Sequence, residues 1–319
     1  MKKVLALTLA FSMCAVPFTA SAEEAVTAES LMAAMQEYSQ NAGSMSVPMT
    51  LNLDAALKVA SADAPETSIG ISMTGGFDVK EIIDPMQLAM TGSFKMALMG
   101  ETQEMSMDMY MKTSEDGNTI DTYARSTEDG EDTGWSHATM DMSEFLSQLG
   151  VSSLEDLNTM SFEDLLGEDV ALEWNVEESD DAYVLSAKLA FSDLMPLIET
   201  AMEASGETAG DDEMAMVESL LGSFVMNMSY ELDKETKAAK TCHVDFNDSD
   251  LTALNEMISA MMGSEEDSSA QMAIELNDFS MDMTFTYDDV TEITIPEEAL
   301  NAETVDVNEL ADEAVDSIE

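Results

Sequence analysis

Met105-Ser106-Met107-Asp108-Met109-Tyr110-Met111 alternates a thioether with a polar or aromatic side chain along the whole stretch. Successive side chains on a β-strand point to opposite faces, so the four methionines share one face and Ser106, Asp108 and Tyr110 the other. A helix would scatter the same methionines around its axis. This stretch therefore reads as a strand with one apolar side, and the segments around it carry the same period.

Upstream, Ile69, Ile71 and Met73 alternate with small or polar residues, as do Met86, Leu88 and Met90, then Phe94, Met96 and Leu98. Gly75-Gly76 and Met99-Gly100 interrupt the runs, Glu115-Asp116-Gly117-Asn118 marks a hairpin, and Asp129-Gly130 closes the next one before Trp135. Downstream strands are expected through Leu172, Trp174 and Val176; Tyr183, Leu185, Ala187 and Leu189; Phe224, Met226, Met228 and Tyr230; and Cys242, Val244 and Phe246. Met272, Ile274 and Leu276 begin a last hairpin that Met281, Met283, Phe285 and Tyr287 complete.

Helical spacing punctuates this pattern. Leu31, Met32, Met35 and Tyr38 predict a helix over 28–40. Further helices are expected from 143, behind capping boxes at Ser152–Glu155 and Ser161–Asp164, over 192–204 and 212–221, and from Ser249 to Gly263. Antiparallel strands with helices gathered to one side make an α+β fold. The expected architecture is a curved antiparallel sheet, an incomplete β-barrel, packed on several helices.

Composition removes whole classes of function. Of 319 residues, 66 are acidic and 11 are Lys or Arg, a formal net charge of -55. Such a chain repels nucleic-acid phosphate and anionic membrane surfaces, so neither is an expected partner. Hydrophobic residues at 45% supply a core, which excludes a disordered acidic chain. Two cysteines exclude a disulfide scaffold and a multi-cysteine zinc site.

Lys2-Lys3, the apolar run from Val4 to Met13, Pro17 and Ala20-Ser21-Ala22 form a signal peptide over 1–22, expected to be cut before Glu23. Residues 23–300 then form one half-barrel domain, and the acidic residues 301–319 a flexible tail. No later run is long enough for a transmembrane helix. Cys14 raises a lipidated terminus as an alternative, but Met13 is bulky where a lipoprotein signal peptidase takes a small residue. The expectation is a secreted or extracytoplasmic protein without an anchor at Cys14.

The opening helix, Asp84-Pro85-Met86 leading into a strand, Met109-Tyr110-Met111 with Tyr123 and Trp135 on adjoining strands, and Ile293-Thr294-Ile295-Pro296 carry a family resemblance over roughly 28–300. The chain resembles LolA/LppX-type extracytoplasmic proteins and lipoproteins, and within that group an uncharacterised secreted or lipoprotein family of Gram-positive bacteria. The resemblance implies a half-barrel curled around helices, with an apolar cavity for a lipid or acyl chain. The chain departs from the pattern in its acidity, its methionine content and the lipobox missing at Cys14.

Methionine, present 30 times, is unbranched and polarizable and suits adaptable apolar surfaces. Met105, Met107, Met109, Met226, Met228, Met281 and Met283, with Trp135 and Trp174, are the candidate ligand-binding residues; Tyr110 is a further aromatic candidate. An ordinary core gives the same alternation. Cu(I) coordination by His137, Met140 and Met142, or by Met226 and Met228, is the metal alternative, but no His/Met cluster stands out. Cys242 and His243 are strand neighbours pointing to opposite faces, so they do not form a nucleophile-base pair. No catalytic motif appears, and no cofactor is expected. The leading reading is a non-enzymatic binding protein for a hydrophobic small molecule or acyl chain. A cell-surface interaction module with a protein partner and a weak calcium binder using turns such as Asp129–Asp132 are the alternatives.

Overall fold

The structure is a computed structural model that describes residues 26–61, 64–83, 85–98, 101–114, 117–143, 146, 172–194, 222, 224–252, 254–256 and 271–304. The expected signal peptide, most of the expected helices between 143 and 263, and the tail beyond 304 lie outside the described residues.

Helix α1 (Ala28–Asn41) starts at a reciprocal cap. Thr27 Oγ1 accepts from the Ser30 amide and Ser30 Oγ from the Thr27 amide, which satisfies two donors of the first turn. Its apolar stripe of Leu31, Met32 and Met35 is buried against the sheet. At Ala42 the backbone turns extended and runs into the first strand.

Thirteen strands follow among the described residues: β1 (Ser44–Ser61), β2 (Ala64–Ile82), β3 (Gln87–Leu98), β4 (Glu101–Thr113), β5 (Thr119–Glu128), β6 (Glu131–Asp132), β7 (Ser136–Asp141), β8 (Asn175–Glu178), β9 (Ala182–Ala190), β10 (Val225–Asp233), β11 (Ala239–Asp245), β12 (Gln271–Thr284) and β13 (Thr286–Tyr287). They form one sheet in the order β6-β5-β4-β3-β2-β1-β12-β11-β10-β9-β8, with β13 paired to β1 and β7 to β5. Every recorded strand pair is antiparallel. The first and last strands of the path do not meet, so the sheet is open and curved, as expected from the α+β reading. A one-turn helix α2 (Glu297–Leu300) packs near β5 and β7, and Thr304 bridges to His137 at the edge strand.

Two features of the sheet differ from the sequence expectation. The central strand β1 is not among the strands expected from sequence, and it carries Pro48 although proline disfavours central strands. Pro48 sits where β1 changes partner, between its pairing with β13 at Met45–Ser46 and with β12 from Met49 onward. Among the described residues no partner on that side is recorded for Val47 or Pro48, and a gap in the ladder is where a residue without an N–H is tolerated. The expected hairpin between Leu276 and Met281 is instead one strand. In β12, Asp278 pairs with Asp54 and Leu276 with Ala55, leaving Asn277 as an extra residue. That bulge shifts the alternation from even to odd positions, so Ile274, Leu276, Phe279 and Met281 all keep to one face.

The turns follow their chemistry. Asp129 (φ 48) and Gly130 (φ 87) both lie in the left-handed region, as a tight two-residue hairpin turn requires. Gly76 is required by a close approach: a Cβ there would lie 2.1 Å from the Met49 carbonyl oxygen.

Candidate functional site

The ladder register assigns each side chain to a face. One row of partners runs Ser126–Met107–Gly92–Phe77–Met49–Met283–Cys242–Tyr230–Leu185–Val176, crossing from β5 to β8 through ten strands. The next row on the same face runs Met105–Phe94–Gly75–Leu51–Met281–Val244–Met228–Ala187. Met109 continues this face through Met90, Val79 and Val47, and Met226 lies opposite Leu189. All seven candidate methionines thus stand on one face, here called the inner face because the core and α1 lie on it.

Burial divides that face. Met109, Met226, Met228 and Met283 are buried in the core, whereas Met105, Met107 and Met281 are half-buried. Of the half-buried group, Met105 and Met107 adjoin Phe94 and Phe77, whose rings meet edge to face at 4.8 Å, while Met281 lies across Leu51. Each ring lies over a glycine of the facing strand: a Cβ on Gly92 would come within 2.5 Å of Phe77, and one on Gly75 within 2.6 Å of Phe94. Thioethers and rings over bare backbone give a soft, polarizable apolar surface with room for side-chain adjustment.

The two candidate tryptophans part company. Trp174 packs against Tyr230 at 6.2 Å and joins the inner-face core. Trp135 stands on the outer face with Tyr110, at 5.8 Å, and Arg125 lies over its indole ring at 4.8 Å. Trp135 and Tyr110 therefore do not meet the methionines. Sequence alternation placed Tyr110 opposite Met109, but Trp135 precedes β7, where no strand period reaches it.

His137 also turns outward, while Met140 and Met142 belong to the inner side. Its ring stacks on Tyr123 at 4.5 Å and hydrogen-bonds Asp121 (3.0 Å) and Thr304 (3.1 Å). Burial alone would raise the Asp121 carboxyl pKa, but hydrogen bonds from His137 and Thr139 outweigh it and hold it below the usual carboxylate range. Cys242 is buried on the inner face, whereas His243 pairs with Asp282 at 2.7 Å on the other. Among the described residues no group of three or more His, Cys, Asp or Glu is arranged to hold a metal ion. The Asp129–Asp132 turn spends oxygens on itself, Asp129 accepting from the Glu104 amide and Asp132 from the Gly134 amide.

One polar group on the inner face was not found from sequence. Glu81 pairs with Met45 on one side and Leu88 on the other, both buried, and Met111 lies beyond. Desolvation there raises its carboxyl pKa from 4.5 to about 7. In a chain with 66 acids, no local signal separates this one from the rest.

Among the described residues no helix is long and apolar enough to cross a membrane. No curated protein matches the chain. Among solved structures, the β-barrel-like protein of domain of unknown function DUF1849 from Brucella abortus is similar at 10% identity and a TM-score of 0.21, covering 76% of this chain and 96% of its own. A LolA superfamily protein from Nitrosomonas europaea is similar at 13% identity and a TM-score of 0.18, covering 86% and 97%. At scores this low the architecture rests on the strand order itself and not on these neighbours. Residues 27–304 match a family of unknown function, DUF6612, and the chain belongs to that family.

Proposed function

We propose that this chain is an extracytoplasmic, non-enzymatic protein that shelters a hydrophobic ligand, a lipid or acyl chain, against the inner face of its open sheet. The observation that carries this reading is the pair of cross-strand rows in which Met107, Phe77, Met49 and Met283 line one row and Met105, Phe94, Leu51 and Met281 the next. Met105, Met107 and Met281 keep part of their surface uncovered. A half-buried methionine surface adapts to chains of varying length and saturation better than one of branched side chains. The LolA superfamily name of one weakly similar structure is in keeping with this reading. The signal-peptide pattern at 1–22 supports export, and the acidic surface suits a cation-rich exterior, which we infer to be a Gram-positive envelope.

Native mass spectrometry tests the proposal. The secreted chain, purified without detergent, is expected to carry added mass of one acyl lipid, or to acquire it on incubation with stearate or phospholipid vesicles. A bare polypeptide mass before and after both incubations overturns it.

A further inference from the structure

The outer face of β2–β5 carries a second surface of different chemistry. Two rows cross it, Thr74–Lys95–Glu104, which carries an ion pair, and Gly76–Ser93–Ser106–Thr127, whose side chains are short. Small residues there leave a trough of about 460 Å³, within the range of small-ligand sites. The side chains of Thr74, Ser93, Ser106 and Thr127 make no hydrogen bond with other described residues, so four hydroxyls remain available as donors and acceptors.

Charge around the trough is only partly offset, two cations standing against three acids. Lys95 holds Glu104 at 3.1 Å, and Arg125 holds Asp108 and, at 3.7 Å, Asp132. Arg125 lies two residues from Thr127 on the same face, one row from the trough, and supports the Trp135 ring with Tyr110 beside it. Uncommitted hydroxyls, with an aromatic pair beyond the neighbouring Arg125 row, form a combination that suits a sugar ring. Its hydroxyls take the polar floor, and its C–H face takes the aromatic edge. A polyanion would meet the surrounding acids, and an apolar ligand would strip water from the hydroxyls without return.

We infer that the outer face of β2–β5 is a binding site for a neutral glycan chain, independent of the inner-face ligand. The test is calorimetric titration of the full mature chain with cellohexaose and with maltoheptaose, with heparin as the polyanion comparison. At least one neutral oligosaccharide is expected to bind and heparin is not. Ser106→Gln, and separately Thr74→Gln, fill the trough from half-exposed or exposed positions and are expected to weaken binding about tenfold or more. Ser229→Gln, in the polar depression over β8–β11, is expected to leave affinity unchanged. Absence of binding to both oligosaccharides overturns the inference. So does binding that survives trough filling in both folded variants, that Ser229→Gln reduces equally, or that heparin matches.

Discussion

Replacing Glu81 by Gln isolates an acid that, among the described residues, folding drives into an apolar setting. In the folded chain its carboxyl, between Met45 and Leu88, has a pKa of about 7, against 4.5 when solvated. Burial is the cause, with no neighbouring charge contributing. Between those values the folded protein keeps a proton that the unfolded chain releases. Stability therefore falls as pH rises through this window and levels off above about 7. At about 1.4 kcal/mol per unit the full cost approaches about 3 kcal/mol, and the residue's partial exposure lowers that to about 2 kcal/mol. Glu81→Gln keeps the shape and removes the titration. Urea denaturation of both chains at about pH 5.5 and about pH 8 compares them, and the remaining acids cancel in the difference. The variant's advantage should grow by about 1–2 kcal/mol between the two pH values. Parallel stability profiles would refute the reasoning and place the Glu81 carboxyl in water.

Other substitutions probe the sheet itself. Gly76→Ala must push β1 and β2 apart at the Met49 carbonyl and should cost about 2 kcal/mol or more, whereas Gly70→Ala meets nothing within 4 Å and should be near neutral by thermal melting. Arg125 is the chain's one arginine. Arg125→Ala should lower stability by about 1–2 kcal/mol and alter the near-UV circular dichroism of Trp135, because the Asp108 pair and the ring contact go together. Raising NaCl from about 20 mM to about 500 mM should raise Tm by several degrees, since a net charge of -55 repels itself; a Tm indifferent to salt would contradict this.

The sheet was legible wherever alternation was uninterrupted, as in the methionines of β4. It became illegible where a long-range partner decided the outcome. Pro48 reads as a strand breaker until the partner change from β13 to β12 is known. The phase change after Leu276 reads as a turn, because a one-residue bulge and a hairpin look alike in a period-two pattern. At the site, the common face of Met105, Met107 and Met109 followed from their own spacing, whereas the register that adds Met226, Met228, Met281 and Met283 did not. Nor did the position of Trp135, since its side of the sheet is set by Tyr110 and Arg125 on other strands. Glu81 escaped notice for the same reason: its desolvation comes from neighbours 36 residues upstream and 7 downstream.

The two tryptophans, one on each face, offer the most direct measurement. A dibrominated stearate quenches indole fluorescence only at short range. In Trp135→Phe, which keeps Trp174 against the inner-face core, titration should quench emission saturably. In Trp174→Phe, which keeps the outer-face Trp135, emission should stay unchanged. Equal quenching of both variants, or quenching of Trp135 alone, would contradict an acyl chain held against the methionine face.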